Sequence, residues 1–264
     1  MINYTRLARA EFDRHLIYLF GNDQSHRKTI EILRNMAHIS FSKFTKSNSI
    51  YFTLDHALSA SVIGISLLES MKAQSGAIRE SEAINLMTSI LFCNIGIIHG
   101  VLKEDIGNKC KASIRDEVDV SHFDTSSCLW KYKEYRSKEF IKESPYVSSN
   151  INNEIVNGAI EVSDITRPIE RISEIGAVSK LVRATQIIAL MADENISRRQ
   201  VEFYLSGLEG GVLNTQVFKS LGDFRDKFGQ YFWETLYPDV GDVLILLRET
   251  IGGREIVSKI YSHL

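Results

Sequence analysis

Residues 86–100, LMTSILFCNIGIIHG, constrain this chain more than any other stretch. Leu86, Met87, Ile90, Leu91, Ile95, Ile97 and Ile98 recur at spacings that keep one helical face inward. The stretch therefore reads as a buried helix running into a turn punctuated by Gly96 and Gly100.

The same spacing recurs along the chain. It predicts helices over 5–20, with Leu7, Phe12, Leu16, Leu19 and Phe20 inward, and over 24–39, with Ile30, Leu33, Met36 and Ala37. A third, over 51–73, places Tyr51, Leu54, Leu58, Val62, Ile65 and Leu68 three or four apart, and Gly76 stops it. Helices follow over 80–94, over 125–143 behind an Asp124 or Thr125 cap, and over 151–163 after a Pro145 turn. The rest reads as helices over 170–193, 197–207, 215–235, 239–250 and 252–262, the last four separated by Gly210-Gly211, Pro238 and Gly252-Gly253. The polar run 42–49 reads as a loop, and 103–124 as an irregular connection long enough to cover a site. No segment alternates apolar and polar residues long enough for a strand, and three prolines leave no Pro-rich linker. The expectation is an all-α, single compact multi-helix bundle: N-terminal helices over 1–49, a core over 50–195 and a C-terminal extension over 196–264.

With 44% hydrophobic and 24% charged residues the composition is that of a soluble globular protein. A net charge of −2 with no long Lys/Arg cluster gives no footprint for nucleic acid. No apolar run is long enough to span a membrane, and MINYTRLARAEFDRH lacks the apolar centre of a secretory signal. Cys93, Cys110 and Cys128 are odd in number and too widely spaced for a zinc finger, so reduced thiols in the cytoplasm are expected. Cys93, inside an apolar helix with no adjacent His or Lys, reads as a core residue rather than a nucleophile.

The 86–100 stretch resembles the signature of HD-domain metal-dependent phosphohydrolases, an apolar run followed by His-Asp, Ile-Gly and an Arg/His-Gly. Ile95-Gly96 and His99-Gly100 supply that frame, but Cys93-Asn94 stands where the His-Asp pair belongs. The resemblance covers about 50–195 and extends weakly to GGREIVSKIYSHL at the C-terminus. It implies an early-helix His, matched by His56 in YFTLDHALSASVIG, and a later Asp, replaced by Gln186 in LVRATQIIALMAD. Lys133, in CLWKYKEYRSKEFI, matches a position where relatives can carry a His.

Such enzymes need ionised carboxylates to hold the metal that acidifies water and clamps phosphoryl oxygens. With Asn94 and Gln186 in those places, no metal or other cofactor is expected. The resemblance then implies a catalytically degenerate, metal-free ligand-binding or regulatory protein. Its candidate ligand-binding residues are His56, Cys93, Asn94, Lys133, Arg183 and Gln186, with Lys133 and Arg183 supplying charge for a phosphorylated small molecule or nucleotide. Two alternatives stay open: an active hydrolase with ligands rebuilt from His56, Glu161 and Asp164, or a structural or partner-binding helical module. The aromatic run 227–238 suits a homodimer or protein partner, or ordinary core packing.

Overall fold

The computed structural model describes residues 3–21, 24–169 and 175–264. Helices dominate them, as the periodicity predicts. Helix α1 (Tyr4–Phe20) lies against α2 (Arg27–Phe44) and α3 (Leu54–Ser75), and α2 and α3 both pack on α4 (Glu80–Phe92). The only sheet among the described residues is a small hairpin of β1 (Lys109–Lys111) and β2 (Glu117–Asp119), antiparallel with Cys110 opposite Val118. A 3₁₀ segment, Ser126–Tyr132, leads into α5 (Lys133–Glu143), followed by α6 (Pro145–Ser148) and α7 (Asn153–Glu161). The chain closes with α8 (Ala177–Met191), α9 (Ile196–Glu209), α10 (Leu221–Tyr231), α11 (Tyr237–Leu247) and α12 (Ile251–Ser262). Every α-helix contributes to one buried apolar cluster, and no described helix is long and apolar enough to cross a membrane.

Several expectations change in detail. Leu7 is exposed, because Ala8, Phe12, Leu16 and Leu19 form the inward stripe of α1. In α3 the expected stripe of Leu54, Leu58 and Val62 is only half-buried; the deepest face carries Ala57, Ala60, Ile65 and Leu68, since α1, α4 and α8 all pack on this helix. The 42–49 loop begins later than expected, with α2 running to Phe44 because Phe41 and Phe44 are buried. The connection at 103–124 contains the hairpin, too short to show alternation. The start of the helix expected over 125–143 is 3₁₀, capped by Thr125 Oγ1 accepting from Ser127 N. The 170–193 helix starts at Ala177, with residues 170–174 lying outside those described.

Pro238 does not separate two helices. A π-turn over Phe232–Leu236 joins α10 to α11, and Pro238 falls in the first turn of α11, where a missing N–H costs little. The aromatic run splits between core and surface: Phe228, Phe232 and Leu236 are buried, whereas Trp233 is 46% exposed.

Gly96 fixes how α5 meets the end of α4. A Cβ there would lie 2.2 Å from Lys133 O and 2.6 Å from Ser137 N, both backbone atoms. Its own N–H donates to Ser137 Oγ at 2.9 Å. Gly96→Ala is therefore expected to lower stability by about 3 kcal/mol, since the start of α5 must move away from the turn. Urea denaturation checks this; a loss under about 1 kcal/mol would mean the approach is looser.

Candidate functional site

Three of the six sequence-derived residues, Asn94, Lys133 and Gln186, meet beneath an aromatic layer. Asn94 follows α4 directly, and its Nδ2 donates to Gln186 Oε1 on α8 at 2.8 Å. Lys133, the first residue of α5, donates from Nζ to Asn94 Oδ1 at 3.0 Å and to Ser163 Oγ at 3.2 Å. A lysine ammonium has only donors, so Asn94 must present its carbonyl oxygen to it, leaving its NH₂ for Gln186. The order Lys133→Asn94→Gln186 is thereby fixed, and Gln186 Nε2 is left without a partner. Lys133 is 1% exposed and Asn94 5%, so this network is sealed from solvent.

The space beside it is a cavity of about 10 Å³, bounded by Tyr51, Phe52, Trp130, Ser163, Ile165 and Phe203 among others. That is room for about one water molecule. Trp130 stacks on Tyr51 with ring centres 5.9 Å apart and meets Phe52 edge-on at 4.6 Å. The aromatic residues come from the loop before α3, the 3₁₀ segment and α9, three places no periodicity argument links.

His56 sits in the first turn of α3, where its N–H donates to the Thr53 cap. Its ring lies 4.7 Å from that of Tyr51, and neither ring nitrogen has a hydrogen-bond partner. Burial first, then the charges of Arg199 and Lys133, push its pKa down to about 3; the Gln186 amide opposes this without reaching hydrogen-bonding geometry. His56 is thus neutral at physiological pH. Cys93 is also buried, with its Sγ donating to Ile90 O at 3.5 Å, and burial raises its thiol to about 11 despite the opposing charge of Lys133. It is a thiol and a poor nucleophile.

Arg183 is occupied by the scaffold. Nε donates to Asp239 at 2.6 Å, Nη1 to Val162 O and Asp164 O, and Nη2 to Arg167 O. It ties the segment after α7 to α11 and is 1% exposed. Glu161 and Asp164 do not share a helix face, because α7 ends at Glu161. Glu161 is exposed and pairs with Lys138; Asp164 is buried, its Oδ1 accepting from Trp130 Nε1 and from the N–H and hydroxyl of Thr166. His99 is exposed, whereas Cys93 is buried. Among the described residues no three His, Cys, Asp or Glu side chains come together as a metal set.

Sequence reasoning missed Ser163, Trp130 and Tyr51, ordinary residue types whose roles depend on long-range packing. It also missed Arg136, buried three residues after Lys133 and paired with Asp105. There a signal existed: Lys133, Arg136, Ser137, Phe140 and Ile141 follow the inward spacing of a helix, with the two basic residues on its apolar face.

The chain matches no curated protein and no solved structure. The model of one family, described as Npun_R2479-like, matches residues 7–264.

Proposed function

The chain belongs to the Npun_R2479-like family, and from its sealed polar network we propose that it is a catalytically degenerate HD-domain-like protein, metal-free and non-hydrolytic, that acts by binding or regulation. The observation that carries this reading is Lys133. Its ammonium hydrogen-bonds Asn94, at the position where the resemblance puts a metal-binding Asp, and Asn94 is bonded to Gln186, at the other. A fixed positive charge on the protein takes the place of an exchangeable cation. One amide oxygen and a serine hydroxyl accept from it, with no anionic ligand. With space for about one water beside it, the cluster has no room for a phosphoryl group, so contacts with a ligand or partner belong on the surface.

The rebuilt-hydrolase alternative draws no support from Glu161 and Asp164, which diverge. The alternative of a structural or partner-binding module shares the closed pocket and differs in binding no small-molecule ligand.

The purified protein is expected to hold well under one equivalent of Mg, Mn, Fe or Zn, and Mn²⁺ should not raise its Tm. Asn94→Asp restores one carboxylate, yet the new charge lies beside Lys133 and is expected to pair with it rather than confer Mn²⁺ binding or phosphomonoesterase activity. Lys133→Ala should cost about 3 kcal/mol, through the cavity and the acceptors left on Asn94 and Ser163. Stoichiometric metal, or hydrolysis that Asn94→Ala abolishes, would overturn the reading.

A further inference from the structure

Arg199 lies one aromatic ring away from His56, its guanidinium carbon 5.4 Å from the centre of the Tyr51 ring. The side chain is 4% exposed. Nε donates to Asp193 at 3.0 Å and Nη1 to Glu202 at 2.8 Å, with a longer bond to Tyr51 O. Nη2 has no hydrogen-bond partner, and Asp55 Oδ2 stands 3.8 Å away, too far for one. A buried guanidinium nitrogen left unpaired is costly enough to call for a partner.

Arg199 lines a surface cleft of about 350 Å³, together with Thr53 and Asp55 from the start of α3 and Asp193, Asn195, Arg198 and Glu202 around the start of α9. The cleft thus lies where two long helices begin. Thr53 caps α3 through His56 N, whereas Asn195 makes no side-chain cap on α9. The first amides of each helix lack intrahelical acceptors and carry partial positive charge.

Two of the three carboxylates are already engaged. Glu202 accepts from both Arg198 and Arg199, and Asp193 accepts from Arg199 and from Asn195 N. Asp55 is the exception: its side chain is 77% exposed and has no hydrogen-bond partner among the described residues. A neighbouring hollow of about 640 Å³ shares Thr53, Arg198 and Glu202 with the cleft and adds Ile50, Val201 and Arg225.

We infer that this cleft is an oxyanion-binding site, which takes the phosphate or carboxylate group of a small molecule whose apolar part lies along Ile50 and Val201. The anion replaces Asp55 beside Arg199 Nη2 and also accepts from Arg198 and from the α3 N-terminus. Asp55 swings outward at little cost, because it is 77% exposed and only a long ion pair with Arg199, at 3.8 Å, holds it. The site requires nothing of Lys133 and stands independently of the non-hydrolytic reading above.

The probes are phenyl phosphate and phenylacetate, with benzyl alcohol as the uncharged control, titrated into the full chain by calorimetry or ligand-observed NMR. At least one anion is expected to bind with Kd of about 1 mM or tighter, and benzyl alcohol is not. Which anion binds more tightly identifies the source of the oxyanion. Asp55→Asn, which removes the competing charge, should tighten binding about threefold. Arg198→Ala should weaken it about tenfold, and both residues are exposed enough for the variants to keep the wild-type Tm. Absence of binding up to about 10 mM, or binding that neither substitution changes, would overturn the proposal.

Discussion

Replacing Arg136 by alanine is expected to cost about 3–5 kcal/mol, and to free the hairpin before the rest of the fold. The guanidinium is 0% exposed. It donates through Nε to Gly96 O, through Nη1 to Lys111 O, through Nη2 to Ile98 O, and through both terminal nitrogens to Asp105 at 2.8 and 2.9 Å. One side chain thus joins the turn after α4, the strand β1 and the loop around Asp105. Removing it strands a buried carboxylate and three backbone acceptors.

Lysine is a poor substitute, since an ammonium cannot make the two-pronged contact to Asp105. Asp105→Asn should cost less, about 1–2 kcal/mol, because an amide oxygen still accepts one bond from the fork. Burial pushes the Asp105 carboxyl up, but hydrogen bonding and charge from Arg136 outweigh it and hold it below the usual range. This stabilisation is present above the unfolded carboxyl pKa, near 4, and fades as pH falls through the lower folded value. Denaturation midpoints together with hydrogen exchange at 105–120 provide the check. A loss under about 1 kcal/mol, or hairpin protection that persists in Arg136→Ala, would mean the hairpin is held by other contacts.

The readability of this chain follows the range of the interactions involved. Helices α1 to α4 and α9 to α12 are legible because each carries its own local spacing of apolar residues, and some carry a local stop, such as the left-handed Gly76 that ends α3. Boundaries fail where a tertiary contact overrides the local signal. Buried Phe41 and Phe44 extend α2, and the π-turn lets helix pass Pro238. The convergence of Asn94, Lys133 and Gln186 follows only from a family resemblance, since nothing local links a residue in the turn after α4 to residues on α5 and α8. Burial of charge was the least legible property. Lys133, Arg136, Arg183 and Arg199 are all buried, and only the spacing of Lys133 and Arg136 on the apolar face of α5 gives a sign of it in the sequence. Arg136 and Arg199 are buried with carboxylates, Asp105 and Asp193, that are remote or unremarkable in sequence. Lys133 is buried against neutral partners, for which no charge pattern exists to be read.

The buried neutral His56 gives the fold an acid sensitivity that one substitution should remove. In the unfolded chain its imidazole takes up a proton near pH 6.5, whereas in the fold burial and the neighbouring Arg199 and Lys133 charges hold it to about 3. A depressed folded pKa means that the unfolded state binds the proton first. The stability associated with the neutral ring is therefore full above pH about 6.5 and declines on acidification, by about 1.4 kcal/mol per pH unit, until the folded pKa is reached. Over that window the loss amounts to about 5 kcal/mol, a large fraction of a typical domain's stability. Carboxylates such as Asp105 also contribute to the acid response, so the informative quantity is the difference between wild type and His56→Leu at each pH. Neither ring nitrogen is hydrogen-bonded, so the leucine variant sacrifices no bond and keeps the apolar contact with Tyr51 and Phe52. At pH 7 the two proteins should unfold at similar urea concentrations; by about pH 4.5 the variant should be more stable by about 2–3 kcal/mol. Parallel acid limbs would show that His56 takes up its proton in the fold as readily as in the unfolded chain. The ring would then have to be reached by water or by a carboxylate, and Asp164, whose Oδ2 is buried without a hydrogen bond in the same aromatic enclosure, would be the first residue to replace.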